Sequence, residues 1–122
     1  MQRIAIVGLG RVGSRFLEAM LGRASRGLEI AAVAETGQTP GRAAAEAAGI
    51  PVLSLNELLG QAAGIDIVFD LSGQLAVRQS LRQGLATRGN SRTVIAPESV
   101  ARLVWSMLTS EDLPQVHTDT GY

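Results

Sequence analysis

Residues 3–13 read Arg-Ile-Ala-Ile-Val-Gly-Leu-Gly-Arg-Val-Gly. The first five are a short aliphatic and β-branched run, as a central parallel strand requires when both its faces are covered. Glycines then fall at positions 8, 10 and 13. Beyond them Val12, Phe16, Leu17, Met20 and Leu21 share one face of a helix that ends near Gly22. Strand, glycine turn and helix in that order give each glycine a task. Gly8 permits the tight turn out of the strand, Gly10 lets backbone approach a diphosphate, and Gly13 lets the helix pack close to the sheet. The unpaired N–H groups and positive dipole near Arg11, Val12 and Gly13 then suit an anion.

The next strand, Leu28–Ala34, is closed by Glu35. An acid there is placed to accept hydrogen bonds from the hydroxyls of an adenosine ribose. Three glycines alone are weak evidence, because glycine is frequent here (14 of 122 residues). The strand before, the helix after and the acid at the following strand make the pattern specific. The alternatives are a glycine turn that binds nothing, a flavin dinucleotide site, and a methyltransferase. The last two ordinarily need more chain than this.

Onward from Glu35, strands and helices alternate. Thr36–Pro40 is a loop, and Gly41–Ala48 is an alanine-rich helix stopped by Gly49. Pro51–Leu53 reads as a brief third strand. Ser54 caps Leu55–Leu59, with Glu57 as the capping-box acid. Ile65–Leu71 is the fourth strand and Ser72-Gly73 its turn. Gln74–Arg88 is a helix with Val77, Leu81 and Leu85 inward, and Thr93–Ala96 is the fifth strand. Pro97-Glu98 opens a last helix whose apolar face is Val100, Leu103, Val104 and Met107. The expected fold is α/β: a doubly wound parallel sheet of the Rossmann type, five to six strands in a single domain over residues 1–108. Residues 109–122, where the hydrophobic period is lost, read as a poorly ordered tail.

Composition narrows the function. The 122 residues suit one domain, and 46% hydrophobic content supports a packed core. Eleven basic residues balance eleven acidic ones, and every basic residue is arginine. Without lysine, Schiff-base chemistry and the lysine of a phosphate-binding P-loop are excluded. Without cysteine there is no disulfide, thiolate metal site or cysteine nucleophile. The arginines are dispersed from Arg3 to Arg102, so no footprint for nucleic acid is visible, and no apolar run is long enough to span a membrane. With no leader pattern at the N-terminus, a cytoplasmic location is expected.

Glu35 also bears on the choice of cofactor. A carboxylate there repels a 2′-phosphate, and Thr36-Gly37 follow it where an arginine would mark an NADP site. NAD(H) is expected over NADP(H). Arg42, seven residues on, is read as solvated on its helix, with the option of swinging in. Ser72 and Gly73 stand at the carboxyl edge of the sheet and suit the nicotinamide-side ribose or the diphosphate. Asp70 is read equally as a helix cap or a ligand. Glu98 is read as a first-turn helix acid rather than a catalytic base. His117, the one histidine, is read as a surface residue. Trp105 lies away from the apolar stripe of the last helix and is either core or a subunit contact.

Three segments, RIAIVGLGRVG (3–13), AVAE (32–35) and IDIVFDLSG (65–73), resemble the N-terminal NAD(P)-binding domain of the homoserine dehydrogenase, aspartate dehydrogenase, dihydrodipicolinate reductase and glucose–fructose oxidoreductase group. The resemblance covers residues 1 to about 108. It implies a cofactor site at Gly8, Gly10, Gly13 and Glu35, with substrate and catalytic residues supplied by a following α/β domain. No catalytic residue is carried over, because the chain stops where that domain would begin and has no lysine. A weaker resemblance, on the ARLVW segment (101–105), is to N-terminal sensory modules of bacterial signalling proteins. Three functions follow: a dinucleotide-binding or redox-sensing module, the cofactor domain of an NAD(P)-dependent oxidoreductase, or a ligand-free interaction domain. The expected partners are the dinucleotide and either a second copy of the chain or a catalytic or signalling domain of a parent protein.

Overall fold

The alternation of 3–13 and 65–73 sets the architecture. Within strand β1 (Gln2–Val7), Ile4 and Ile6 point to one face of the sheet while Ala5 and Val7 point to the other. Both faces must therefore be covered by helices. In the computed structural model, which describes residues 1–23 and 27–108, they are. Helix α1 (Arg11–Leu21), strand β2 (Leu28–Ala34) and helix α2 (Pro40–Ala47) follow β1. Then come α3 (Leu55–Gly60), a single 3-10 turn (Ala62–Gly64), β3 (Ile67–Asp70), α4 (Leu75–Thr87), β4 (Val94–Ala96) and α5 (Glu98–Leu108).

The strands are all parallel, in the order β2-β1-β3-β4. The chain leaves β1 in one direction for β2 and returns past it for β3. That reversal opens a crevice beyond the carboxyl ends of β1 and β3, where ligands lie in folds of this class. One face of the sheet is filled by Ile4, Ile6, Phe16, Leu17, Phe69 and their neighbours from α1 and α5. The rings of Phe16 and Phe69 pack with centroids 4.9 Å apart. The other face holds Ala5, Val7, Leu58, Val68, Leu81 and Leu85, from α3 and α4.

The expected helices and the main strands stand within two residues of their expected bounds, but among the described residues the sheet has four strands rather than five or six. Pro51–Leu53 makes only a single parallel bridge, Val33 to Val52, outside β2. Val33 N–H donates to Pro51 O, and Leu53 N–H donates to Val33 O. Proline has no N–H to extend the ladder, and Ser54 immediately begins α3 with its capping box to Glu57.

The orientation of α5 also differs from expectation. Ala101, Trp105 and Glu98 are buried, whereas Val100, Leu103 and Met107 face outward, the last two 61% and 70% exposed. Alanine at 101 lets the helix approach the sheet, and the large Trp105 side chain fills the space beside α1. A single indole removes more apolar area from water than any one of the aliphatic side chains, so it sets the face. Trp105 is therefore core, with the Arg15 guanidinium 5.8 Å above its ring.

The opposite edge of the sheet is stapled by Asp66. Its Oδ2 accepts from the Arg3 backbone N–H at 2.8 Å and its Oδ1 from Arg92 Nη1 at 2.9 Å. The backbone bond from Arg3, then the bond from Arg92, hold the carboxyl below its usual range. No helix among the described residues is long and apolar enough to cross a membrane. His117 and the expected tail at 109–122 lie outside the described residues.

Candidate functional site

The glycine turn is built by clashes that only glycine avoids. Gly8 has φ +91, and a Cβ on it would stand 2.6 Å from the N and Cα of Ser72. A Cβ on Gly13 would stand 1.9 Å from Gly8 O. Gly10 is different. A Cβ there would meet nothing within 4 Å, so its glycine is not required by the protein's own packing. That space adjoins the start of α1, where Gly10 supplies no side-chain cap and the first turn contains no acid. The N-terminal N–H groups of a helix need a partner, and an anion over Gly10 would provide it.

Arg11 is exposed, while the Val12 side chain is fully buried in the core. Val12 can thus offer a ligand only its backbone. Leu9, between the glycines, is also fully buried and anchors the loop. Its carbonyl accepts from Ser14 Oγ at 2.8 Å, and Ser14 Oγ accepts from Gly41 N–H at 2.9 Å. A Cβ on Gly41 would approach Ser14 Oγ to 2.4 Å. This clasp joins the start of α2 to the N-terminal end of α1. Its sequence signal was a serine one turn into α1 and a glycine at the start of α2, which no local pattern relates.

Glu35 ends β2 half-buried, facing the loop. Its Oε1 accepts from Leu9 N–H at 2.6 Å and its Oε2 from Gly37 N–H at 2.8 Å. Each carboxylate oxygen keeps a further lone pair for a hydroxyl donor. Arg42 has folded back rather than out: its Nη1 donates to the Glu35 carbonyl at 3.0 Å, and Glu46 lies 3.8 Å from its Nε. The same groove, about 680 Å³, is lined by Gly8, Gly10, Glu35, Arg42, Leu53 and Ser72. A cleft of about 460 Å³ between α1 and α2 opens from the other side of Gly10.

The far wall of the groove is the β3–α4 turn. Gly73 has φ +67, the left-handed conformation that favours glycine. Ser72 donates from N and Oγ to Asp70 Oδ1, at 3.2 and 2.7 Å. Asp70 is fully buried, so it is neither a ligand nor an exposed cap; it organises the turn from below. Glu98 stands in the first turn of α5, buried and 3.2 Å from Arg102 Nε, as a helix acid would. Among the described residues no cluster of histidine, aspartate and glutamate suits a metal ion. Gly8, Gly10, Glu35, Ser72 and Gly73 thus meet at one edge, with the backbone of Arg11, Val12 and Gly13 beside them.

The model of the homoserine dehydrogenase NAD-binding domain family matches residues 8–104, from the first glycine of the loop to the middle of α5. The chain belongs to that family. The homoserine dehydrogenase-type NAD-binding domain is therefore what the glycine loop and parallel sheet build here. Among solved structures, it is similar to a hyperthermophilic archaeal homoserine dehydrogenase mutant in complex with NADPH, at 16% identity and a TM-score of 0.52. At that identity the likeness shows the shared fold. The match covers 88% of this chain and 39% of that one, so this NAD-binding domain spans well under half the length of its solved neighbour. No curated protein matches it.

Proposed function

We propose that this domain is the cofactor half of an NAD(P)-dependent oxidoreductase and binds NAD(H) in preference to NADP(H). The observation that carries the proposal is the pairing of an uncapped α1, open over Gly10, with the Glu35 carboxylate at the end of the adjacent strand. In this arrangement the backbone N–H groups of Arg11, Val12 and Gly13 hold the diphosphate. Glu35 accepts the ribose hydroxyls on its remaining lone pairs and repels a 2′-phosphate. The Arg11 side chain, exposed beside the loop, neutralises the diphosphate from solvent. Ser72 and Gly73 border the half of the cofactor beyond it. The nicotinamide, when bound, supplies or accepts hydride; the residues of this chain bind and orient it.

Family membership favours the cofactor half of an enzyme over a free-standing redox sensor. Substrate recognition and proton transfer are then assigned to a partner domain, which we place against the outward stripe Val100, Leu103 and Met107 of α5. An exposed apolar stripe at that spacing is the kind of surface that another domain covers. With this goes a dinucleotide domain running to residue 108 and a cytoplasmic location. NADP(H) is the second reading, because the Arg42 guanidinium lies beside Glu35, bonded to its carbonyl at 3.0 Å, and lines the same groove.

Titration with NADH and NADPH, followed by the fluorescence of the reduced nicotinamide, tests the proposal. Micromolar binding of NADH with weaker NADPH is the expected result. Failure of both to bind at millimolar concentration overturns it.

A further inference from the structure

Asp70 has a carboxylate with no exposed surface, at the carboxyl end of β3. Burying such a group costs several kcal/mol, on the order of the whole stability margin, unless it is paired and hydrogen-bonded. Its Oδ2 faces Arg78 Nε at 3.5 Å, from α4. Its Oδ1 takes both donors of Ser72, the Oγ at 2.7 Å, a length typical of a charge-assisted bond. Ser72 Oγ in turn accepts at 3.2 Å from the N–H of Gln74, the N-cap residue of α4. The turn is thus closed on itself, and its backbone is pressed against Gly8 closely enough to exclude any Cβ there.

Gly8 has Ser72 on one side and β2 on the other, where its N–H donates to Ala34 O at 2.9 Å. Glu35 follows Ala34 directly. The loop therefore divides the groove into a Glu35 half and a Ser72 half. Buried beneath the second half, Asp70 touches no ligand, and a buried ion pair adds little net stability over an apolar pair of the same shape. What it does is fix the place of Ser72 and Gly73.

We propose that Asp70 is a positioning residue for the half of the dinucleotide beyond the diphosphate, acting through Ser72. This rests on the dinucleotide reading above. Affinity for the adenosine half, seated on Glu35, is independent of Asp70, while affinity for the whole dinucleotide is not.

The test is calorimetric titration of the full chain with NADH and with adenosine 5′-monophosphate, for the parent, Asp70→Asn, Ser72→Ala and the double variant. Weakening a charge-assisted bond predicts about a tenfold loss of NADH affinity in Asp70→Asn, with the monophosphate held within about twofold. The double variant loses no more than the worse single one, because both act on one turn. The inference is overturned if Asp70→Asn leaves NADH binding unchanged, if both ligands weaken in proportion, or if the two losses add. Should Asp70→Asn fail to fold, Ser72→Ala beside Ser72→Thr decides: the threonine hydroxyl restores NADH affinity if the bond to Asp70 is what counts, and leaves it lost otherwise. A parent chain that binds neither ligand defeats the dinucleotide reading itself. A parent that binds both, with unaltered Asp70→Asn, defeats the role of Asp70 alone.

Discussion

The carboxylate of Glu35 accepts the backbone N–H of Leu9 at 2.6 Å, so the acid at the end of β2 is bonded directly to the glycine loop at the end of β1. Glu35 therefore sets the loop through Leu9, and in the proposed function the same side chain offers its other lone pairs to a ribose. Replacing it by alanine removes both. We expect Glu35→Ala to weaken NADH about tenfold or more, the loss of a bond to a charged acceptor, and to erase any preference over NADPH. Glu35→Gln keeps the bond to Leu9 through its amide oxygen but gives up the bond to Gly37 and the negative charge. It should retain NADH binding and gain NADPH binding. Parallel titrations with both cofactors check this, and an unchanged preference in either variant would remove Glu35 from the selectivity argument.

Gly10 and Gly13 predict opposite phenotypes. The 1.9 Å approach of a Gly13 Cβ to Gly8 O leaves no room for adjustment by side chains. Gly13→Ala is expected to cost about 3 kcal/mol or more, the upper range for overpacking, or to prevent folding. Gly10→Ala meets no protein atom within 4 Å and should unfold with the parent's midpoint. Its new methyl group enters the space that the proposed function gives to the diphosphate, so dinucleotide affinity is expected to fall. Urea unfolding and cofactor titration of the two variants separate these outcomes.

Acid should loosen the fold at Asp66 and at the start of α3. Asp66 is held below its usual range, chiefly by the Arg3 backbone N–H and then by Arg92. Glu57 is lowered as well, by its bonds to Ser54. A carboxyl with a depressed folded-state value stabilises the fold above its unfolded value, and that stability is lost as pH falls through the folded one. Melting temperature is thus expected to be flat near neutrality and to fall below about pH 4, the unfolded carboxylate range. Asp66→Asn, which cannot titrate, should be less stable near neutrality and show a shallower decline. Melts of both proteins across this range measure the difference.

The two faces of α5 also make distinct predictions. Trp105→Ala empties a buried site and should cost about 3–5 kcal/mol. Leu103→Glu alters an exposed position and should change the stability of the isolated domain by no more than about 0.5 kcal/mol. Urea melts settle both values, and a large loss from Leu103→Glu would mean that the stripe is covered within the chain itself.

Much of this arrangement was legible in the residues. Local patterns sufficed where each part is made within a few positions: the strand 3–7, the glycine spacing, the apolar face of α1 and the capping box of Ser54 and Glu57. Errors arose where the answer depended on a distant neighbour. Three residues with strand-like composition, Pro51–Leu53, reached only one bridge because proline offers no N–H and α3 starts at once. Counting aliphatic residues on α5 favoured Val100, Leu103, Val104 and Met107, of which Val104 packs against the core, whereas the single indole of Trp105 set the buried face. The bonds of Asp70 to Ser72 and of Ser14 to Gly41 were not readable at all, since nothing in the spacing says which way either side chain turns.

The most direct test of the account is an amide NMR titration of the labelled domain with NADH. Saturable shifts confined to Gly8–Gly13, Glu35–Gly37 and Ser72–Gln74, all at one edge of the sheet, are the predicted result. Absence of shifts at millimolar NADH, or shifts centred on the opposite edge around Asp66 and Arg92, would contradict it.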